Sequence, residues 1–262
     1  MIESTKNAQI KALSSLIKKS KIRDEEGVYV VEGRRMFEEA PEAEIKKIYV
    51  SAGFMERFGN EPSIKGKLKK ADYEILSDSV YEYVSDTRTP QGLMCIMKQK
   101  EYSSDRVMSG EKPFLLLVED LQDPGNLGTM IRAGEGAGIT GLVMTANTVD
   151  IYNPKTIRST MGSVFRVPFC YVGDMKTALV LAGKKGITTY AAHLKGEAPY
   201  DKEDYSGGAA IIIGNEGKGI SFETAKAADK LVKIPMKGEV ESLNAAVAAT
   251  VLMYEVARQR RY

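Results

Sequence analysis

Short apolar runs alternate with amphipathic stretches along the whole chain, and this pattern predicts an α/β protein. Residues 4–20 place apolar side chains on one helical face and lysines on the other, with Ser4 or Thr5 as the helix cap. Four strand-like runs follow, separated by helical patches; they are 28–33, 45–51, 73–77 and 92–99. The first hundred residues therefore predict a small α/β module.

A second series of strand-like runs begins at residue 113. It comprises 113–119, 141–145, 164–172, 187–193, 209–214 and 230–236. These runs lack the alternation of a half-exposed strand, so they predict strands that are covered on both faces, in a largely parallel sheet flanked by helices. Such a sheet binds its ligands at the carboxyl ends of the strands.

Between the two series, residues 98–112 lose their apolar periodicity and are mostly polar, which is typical of a linker. A length of 262 residues also favours two domains over one. We expect the boundary near residue 110, with an N-terminal module over 1–105, a linker over 106–112 and a second domain over 113–262.

The composition indicates a globular protein but does not indicate what the protein binds. With 43% hydrophobic and 27% charged residues the chain is typical of globular proteins, and a formal charge of +2 neither favours nor excludes nucleic acid. Basic clusters at 18–23 and 65–70 are expected to be solvated surface. Cys95 and Cys170 each lie in an apolar run, which favours reduced, packed thiols. Since neither a signal peptide nor a membrane-spanning run is recognisable, we expect a cytoplasmic protein.

Three loops after predicted strands combine glycines with polar side chains. The first, "DPGN" (123–126), opens a helix that contains Arg132. The second, "GNEGKG" (214–219), brackets a glutamate, and the third (234–244) runs into an alanine-rich helix for which Ser242 is the expected N-cap. Each loop alone is explained as a strand-to-helix turn. Three of them in one half of the chain predict a site.

Several common chemistries lack their residues. The glycines Gly134, Gly136 and Gly138 follow the start of a helix, so their spacing does not fit a dinucleotide-binding fingerprint, and no P-loop sequence occurs. His193 is the only histidine, and we expect it at a strand end; a zinc site or a histidine-based triad would lack ligands or a base. Acidic clusters suited to two metal ions are also missing.

Three segments, which follow one another in the family's order along the chain, resemble the signature motifs of the SpoU, or TrmH-like, branch of the SPOUT superfamily of RNA methyltransferases. They are "DPGNLGTMIRAGEGAG" (123–138), "IIIGNEGKGIS" (211–221) and "IPMKGEVESLNAAVAATVLMYE" (234–255). The segment "IRSTMGSVFRVP" (157–168) has the same likeness, which extends over residues 113–258. In the N-terminal half, "VVEGRRMFEEA" (30–40) and "TRTPQGLMCI" (87–96) resemble the ribosomal-protein-like substrate-binding module of many members.

The resemblance implies a C-terminal α/β domain with a trefoil knot, a homodimer, and a metal-independent reaction. The reaction is transfer of a methyl group from S-adenosylmethionine to a ribose 2′-hydroxyl of structured RNA. Large-subunit ribosomal RNA is expected because the extra N-terminal module is typical of ribosomal RNA enzymes. The alternatives are a tRNA methyltransferase and a non-catalytic RNA-binding or ribosome-assembly protein; a nicotinamide-dependent oxidoreductase is disfavoured by the missing fingerprint.

The same resemblance assigns the site residues. The catalytic positions are Arg132, Asn126, Glu216, Ser242 and Asn244, and the cofactor-binding positions are Gly214, Asn215, Ile234, Met236 and Leu243. The expected RNA-binding residues are Arg34, Arg35 and Arg88. We expect Arg132 to stabilise the developing alkoxide and grip an RNA phosphate, with Asn126 and Glu216 orienting it and a phosphate oxygen or water accepting the proton.

Overall fold

The computed structural model describes residues 1–196 and 198–261, and the chain folds into two compact units. The first unit comprises Met1–Lys100 and Asp150–Phe165, and the second comprises Glu101–Val149 and Arg166–Tyr262. Residues 150–165, which the sequence-based division assigns to the C-terminal domain, thus belong to the first unit. That division otherwise stays a prediction.

The strands and helices follow one another along both units. The strands are β1 (Val28–Glu32), β2 (Ile45–Ser51), β3 (Tyr73–Leu76), β4 (Leu93–Lys98), β5 (Phe114–Val118), β6 (Gly141–Thr145), β7 (Phe169–Val172), β8 (Thr188–Ala192), β9 (Ala198–Pro199), β10 (Ala209–Ile213) and β11 (Lys230–Lys233). The helices are α1 (Ala8–Lys18), α2 (Ser20–Glu26), α3 (Arg34–Glu39), α4 (Ala52–Phe58), α5 (Pro62–Leu68), α6 (Asp78–Val84), α7 (Ser104–Val107), α8 (Pro124–Ala137), α9 (Pro154–Thr160), α10 (Met175–Lys184), α11 (Phe222–Ala227) and α12 (Ala245–Gln259).

The first unit is built on a four-stranded sheet in the order β1-β4-β2-β3, in which β4 runs antiparallel to both of its neighbours. All four strands predicted for this half are confirmed. Helix α1 buries Ile10, Leu13 and Leu16 against the sheet, as its periodicity predicts. Its N-cap is Asn7, not Ser4 or Thr5, because the Asn7 side chain accepts a hydrogen bond from the Gln9 amide at 2.8 Å.

Residues 150–165 contact the rest of the first unit through a partly buried ion pair and a ring contact. The Arg23 side chain is 3% exposed and donates to the carbonyls of Leu16 at 2.8 Å and Ile17 at 3.2 Å, and it also pairs with Asp150. Tyr152 packs against Tyr29 of β1, with ring centroids 4.4 Å apart. The expectation that residues 18–23 form solvated surface is therefore wrong for Arg23.

A second basic residue is withdrawn from the surface in the same unit. Lys67 is 9% exposed, and its ammonium donates to the carbonyls of Phe37, Glu38 and Ala40 at 2.6–2.7 Å. These carbonyls lie at the end of α3, where a cation also interacts favourably with the helix dipole. Burial lowers the pKa of Lys67. The cluster at 65–70 thus contains a structural lysine.

The second unit contains a seven-stranded sheet in the order β7-β6-β5-β10-β8-β11-β9, with every pairing parallel. Strands β5, β6 and β10 are buried along their whole length, so the predicted parallel sheet with two covered faces is confirmed. The predicted strand at 164–172 is wrong in its first half. A 3₁₀ turn occupies Ser163–Phe165, and β7 starts only after Pro168, which lacks the N–H that a strand interior needs.

Residues 106–112, the predicted linker, include two core residues of the second unit. Val107 and Met108 are at most 1% exposed and pack in one cluster with Leu115 and Val143. The short helix α7 that leads into them is capped by Ser103 and spans a single turn, too few residues for apolar periodicity to be recognised.

Both cysteines are buried and unpaired, as predicted, and burial raises the pKa of Cys95 to about 12. Of the helices in the described ranges, none combines the length and apolarity that crossing a bilayer requires. The trefoil knot implied by the resemblance stays a prediction.

The Arg23 contacts should hold residues 150–165 onto the first unit. We expect Arg23→Ala to lower the free energy of unfolding by roughly 2–4 kcal/mol, because two carbonyls and Asp150 lose their donor. Hydrogen exchange of residues 150–165 should accelerate in this variant. Lys70→Ala is the matched control: its pair with Glu42 is exposed, so it should cost less than about 1 kcal/mol. Equal destabilisation by the two substitutions in calorimetry would contradict this account.

Candidate active site

Two of the three loops start side by side at the carboxyl edge of the parallel sheet. Val118 at the end of β5 lies in register with Ile213 at the end of β10, and the Glu119 amide donates to the Ile213 carbonyl at 2.9 Å. The third loop follows β11 at the same edge. Because parallel strands present their carboxyl ends together, loops distant in sequence converge there.

The loop after β10 is a closed hairpin. Asn215 and Gly219 exchange two backbone hydrogen bonds at 2.9 and 3.0 Å. A Cβ on Gly214 would lie 2.2 Å from the Gly219 backbone, so only glycine fits there. The Asn215 side chain accepts from the amides of Gly217 and Lys218 and donates to the Asp120 carbonyl at 2.9 Å. Its polar atoms therefore close the loop and also join it to the loop after β5.

Glu216, at the tip of this hairpin, joins it to the loop after β5. Its carboxylate accepts from the amides of Gln122 at 3.1 Å and Asp123 at 2.8 Å, and from Nδ2 of Asn126 at 3.1 Å. Burial disfavours the charged form, but these hydrogen bonds outweigh it and hold the pKa of Glu216 below its usual value. Glu216 is therefore ionised at neutral pH.

Asn126 extends the contact to the third loop. Its Oδ1 accepts from Nδ2 of Asn244 at 3.0 Å, so that Glu216, Asn126 and Asn244 form one hydrogen-bonded chain. Oδ1 of Asn244 in turn accepts from the amides of Ala246 at 2.9 Å and Val247 at 3.3 Å. Three of the five predicted catalytic residues, one from each motif, are thus brought together.

The predicted N-cap of the last helix was wrong. Helix α12 begins at Ala245 and its N-cap is Asn244, whereas Ser242 lies two residues earlier in the preceding loop. Ser242 is exposed, and its hydroxyl makes no hydrogen bond within residues 1–196 and 198–261. Serine and asparagine are equally favourable N-cap residues, so residue type alone does not predict which of the two positions caps the helix.

The segment 234–243 is open, in contrast to the hairpin. No backbone–backbone hydrogen bond between described residues involves it, and its backbone donors and acceptors remain available. The side chains of Ile234, Met236 and Leu243 are each half-buried along this segment. Free amides and carbonyls beside apolar walls suit a nucleoside such as the adenosine of S-adenosylmethionine, so the residues present fit that cofactor.

Arg132 stands apart from the hydrogen-bonded chain. It lies six residues beyond Asn126 on α8, about 9 Å along the helix axis, and on a different side of the helix. Its side chain is exposed and has no hydrogen bond or ion pair to any residue that the structure describes. Contacts by which Asn126 and Glu216 would orient Arg132 directly, as expected from the resemblance, are not formed.

Three residues that were not predicted from the sequence support the site. They are Asp120 and Gln122 in the loop after β5 and Thr145 at the end of β6. Asp120 adopts a φ of 53°, rare for a non-glycine residue, and its carboxylate accepts from the Thr145 hydroxyl at 2.7 Å. Gln122 donates through its side chain to the carbonyls of Asp120 and Asn147. The only signal in the sequence is a pair of acids directly after an apolar strand.

The three arginines predicted to bind RNA differ in their surroundings within the first unit. Arg34 pairs with Glu38 at 3.0 Å and with Glu61, so its guanidinium is engaged. Arg35 pairs with Glu39 at 3.1 Å but is 63% exposed. Arg88 is exposed and, over the described part of the chain, has no ion-pair partner.

His193 follows β8, as predicted, and its Nδ1 accepts from the Lys195 amide at 3.1 Å. The described residues contain no group of three or more His, Cys, Asp or Glu side chains that could hold a metal ion.

Comparison with known proteins assigns both halves of the chain. The sequence profile of the SpoU rRNA methylase family matches residues 113–254, and that of the MRM3-like substrate-binding domain matches residues 7–95.

Relatives share the full length of the chain. The 23S rRNA (guanosine(2553)-2′-O)-methyltransferase RlmP of Bacillus subtilis is 33% identical over 264 residues, covering 97% of this chain and 98% of the relative. The human mitochondrial rRNA methyltransferase 3 is 27% identical over 312 residues, covering 97% and 73%. A crystal structure of an AdoMet-bound rRNA methyltransferase from Sinorhizobium meliloti matches with a TM-score of 0.86 at 26% identity, covering 98% and 97%.

The two candidate caps of α12 can be separated by substitution. We expect Asn244→Ala to lower the free energy of unfolding by about 1–2 kcal/mol, because α12 loses its cap and Asn126 loses a donor. Hydrogen exchange at Ala246 and Val247 should accelerate. Ser242→Ala is the control and should change stability by less than about 0.5 kcal/mol. If Ser242→Ala were the more damaging substitution, the assignment of the cap would be wrong.

Proposed function

The chain belongs to the SpoU rRNA methylase family, and on that premise we propose that it methylates the 2′-hydroxyl of a ribose in large-subunit ribosomal RNA. The methyl donor is S-adenosylmethionine. The observation that supports this function best is the hydrogen-bonded chain of Glu216, Asn126 and Asn244, which ties the family's three motifs together at the carboxyl edge of the sheet. The relative RlmP, aligned over nearly the whole of both chains, supports the choice of 23S rRNA.

S-adenosylmethionine supplies an electrophilic methyl group when bound. In this chain the open segment 234–243 offers backbone groups for the adenine edge, with Ile234, Met236 and Leu243 as apolar walls. Gly214 lets the hairpin after β10 close, since the Gly219 backbone takes the space of a Cβ there, and we assign to it the role of shaping this loop of the site. The Asn215 side chain bonds to the amides of Gly217 and Lys218 and to the Asp120 carbonyl. Its backbone N–H and C=O both pair with Gly219, so we assign to Asn215 the role of shaping this loop of the cofactor site.

The protein's remaining tasks are to align the ribose hydroxyl and to help it lose a proton. Arg132 suits both tasks, because its exposed guanidinium has no partner among the described residues and can grip an RNA phosphate and stabilise the developing alkoxide. A guanidinium stays protonated, so the proton acceptor is a phosphate oxygen or water. Asn126 and Glu216 act by fixing the loops, and Ser242, whose hydroxyl bonds to no residue that the structure describes, is available to the ribose.

RNA binding by the N-terminal unit falls mainly to Arg88 and Arg35. Both are exposed, whereas Arg34 would have to leave Glu38 and Glu61 before it could contact a phosphate. Phosphate contacts of this kind provide affinity and register but not sequence specificity.

A homodimer is the assembly that we propose. Helix α12 exposes 49% of Val247 and 42% of Tyr254, which share one helical face. The Tyr254 hydroxyl lies against Gly136 of α8, one turn beyond Arg132, so the apolar face of α12 borders the exposed face that contains Arg132. A second copy covering this face would desolvate the apolar side chains and surround Arg132 with protein.

We assign the reaction to the cytoplasm.

Three rival functions can be tested by simple measurements. A non-catalytic ribosome-assembly protein would bind RNA without transferring a methyl group, and a tRNA methyltransferase would modify a different RNA. Calorimetry with S-adenosylmethionine and with NAD separates the methyltransferase from an oxidoreductase.

The function is tested by mapping 2′-O-methylated positions in total RNA from cells with and without the gene. We expect one position in 23S rRNA to lose its methyl group, and purified protein to restore it with labelled S-adenosylmethionine. Arg132→Lys should reduce the rate by roughly 100-fold, because it keeps the charge but loses the planar fork. Cofactor affinity should stay unchanged in this variant, since lysine keeps the positive charge and no hydrogen bond joins Arg132 to the described residues of the cofactor loops.

Arg106→Lys is the control for that substitution. Arg106 stacks on Tyr102 at 4.9 Å, outside the proposed site, and its replacement should leave the rate unchanged. Near-normal activity of Arg132→Lys would refute the alignment role, and loss of a methyl group from tRNA instead of 23S rRNA would refute the substrate.

The dimer is tested by placing a charge on the exposed face of α12. We expect Val247→Asp to shift the protein from dimer to monomer in sedimentation, because burying an unpaired carboxylate in an interface is costly. Val180→Asp is the matched control, since Val180 is 50% exposed on α10, away from this face. If both variants sediment as dimers, the interface lies elsewhere.

A further inference from the structure

The loop between α6 and β4, residues 85–92, is held by its own side chains at three points. At its start, the hydroxyls of Ser85 and Thr87 both donate to Oε1 of Glu32, at 2.5 and 3.1 Å. The Ser85 hydroxyl also accepts from the Thr87 amide at 3.1 Å. Two residues of the loop are therefore fixed to the end of β1.

The other two attachments lie in the middle and at the end of the loop. Asp86 pairs with Arg158 of α9 at 3.1 Å. Oε1 of Gln91 accepts from the Arg34 amide at 2.7 Å, at the start of α3. Gly33, with a φ of 105°, makes the turn between β1 and α3 that brings this amide to Gln91. All of these contacts lie within the first unit.

Between these attachments only Arg88 and Thr89 are left exposed without a hydrogen bond to the described residues. The loop thus presents one uncommitted guanidinium on a braced backbone. A loop that is ordered before binding loses less conformational entropy when it binds, so this arrangement favours binding through Arg88.

Glu32 is the unusual member of the brace. It is only 9% exposed, and a buried carboxylate is costly unless hydrogen bonds compensate it. Its charge also repels a polyanion near the arginine that is meant to bind one. Direct contact with RNA therefore does not explain Glu32, whereas fixing Ser85 and Thr87 does.

We propose that Glu32 is a positioning residue for RNA binding, which bonds Ser85 and Thr87 so that Arg88 is presented to an RNA phosphate. This proposal rests on the proposed function, because it takes RNA as the ligand. The proposal predicts a change in RNA affinity opposite in sign to the change that charge alone would cause. Removing a negative charge beside an RNA-binding surface should strengthen binding by electrostatics alone, but loss of Glu32 should weaken it.

The test measures binding of the full-length protein to transcribed 23S rRNA at several potassium chloride concentrations. We expect Glu32→Ala to weaken binding roughly tenfold. The slope of the logarithm of the binding constant against the logarithm of the salt concentration should fall by the amount of about one phosphate contact, and Arg88→Ala should have the same two effects. The double variant should bind no more weakly than Arg88→Ala alone. Glu32→Gln keeps an acceptor oxygen and should stay within about threefold of wild type.

Two further variants separate positioning from folding and from charge. Ser85→Ala combined with Thr87→Val removes the donors while Glu32 stays in place, and it should reproduce the effect of Glu32→Ala. Glu82→Ala removes an exposed acid from α6 and should leave binding unchanged or slightly tighter. Circular dichroism and cofactor binding should show that every variant is folded at the assay temperature, although Ser85→Ala with Thr87→Val should melt at a lower temperature because Glu32 stays buried without these donors.

The outcomes discriminate between this proposal and the proposed function. Additive effects of Glu32→Ala and Arg88→Ala, unchanged or tighter binding by Glu32→Ala, or no effect of Arg88→Ala would each overturn the role of Glu32 while wild-type methylation of 23S rRNA stands. Wild-type protein that neither binds nor methylates 23S rRNA would instead refute the proposed function, and this role with it.

Discussion

The ionised carboxylate of Glu216 determines the arrangement of the whole candidate site. A carboxylate can only accept hydrogen bonds, so Asn126 must turn its Nδ2 toward Glu216 and its Oδ1 toward Asn244. Asn244 must then donate to Asn126, which leaves its own Oδ1 to cap α12. The direction of every hydrogen bond in the chain thus follows from one charge. The same carboxylate receives two backbone amides of the loop after β5, so the positions of all three loops depend on it.

Local sequence predicted the elements well and their ends less well. The parallel strands of the second unit were recognisable because a strand buried on both faces is a continuous apolar run, as "FLLLV" and "AAIII" are. Caps were misassigned twice, at Asn7 and at Asn244, because serine, threonine and asparagine are equivalent until the backbone geometry is known. The membership of residues 150–165 in the first unit depends on contacts such as Arg23 with Asp150, more than a hundred residues apart, which no local pattern reports.

The same limit explains the arginines and lysines. In the sequence, Arg23 and Lys67 lie in basic clusters and Arg88 lies in a segment that resembles the substrate-binding module, and no local pattern tells which of the three is buried. In the structure, Arg23 and Lys67 are buried and satisfy backbone carbonyls, so their charges stabilise the fold, while Arg88 is left at the tip of a braced loop. Only tertiary structure supplies the carbonyls and carboxylates that make this distinction. A basic cluster therefore indicates a nucleic-acid surface only after its internally bonded members have been removed.

The second and third loops of the candidate site differ in how far their backbone groups are hydrogen-bonded within the protein. Residues 214–219 form hydrogen bonds within the loop, through the Asn215–Gly219 pairing and the Asn215 side chain, so this loop is held closed. Residues 234–243 make no backbone–backbone hydrogen bond with described residues, yet they lie next to apolar side chains that are half-buried. Polar backbone left unpaired beside apolar surface is unfavourable unless a ligand or water completes it. The open segment is therefore where a bound nucleoside would gain most hydrogen bonds, whereas the closed hairpin has paired its backbone groups within the loop.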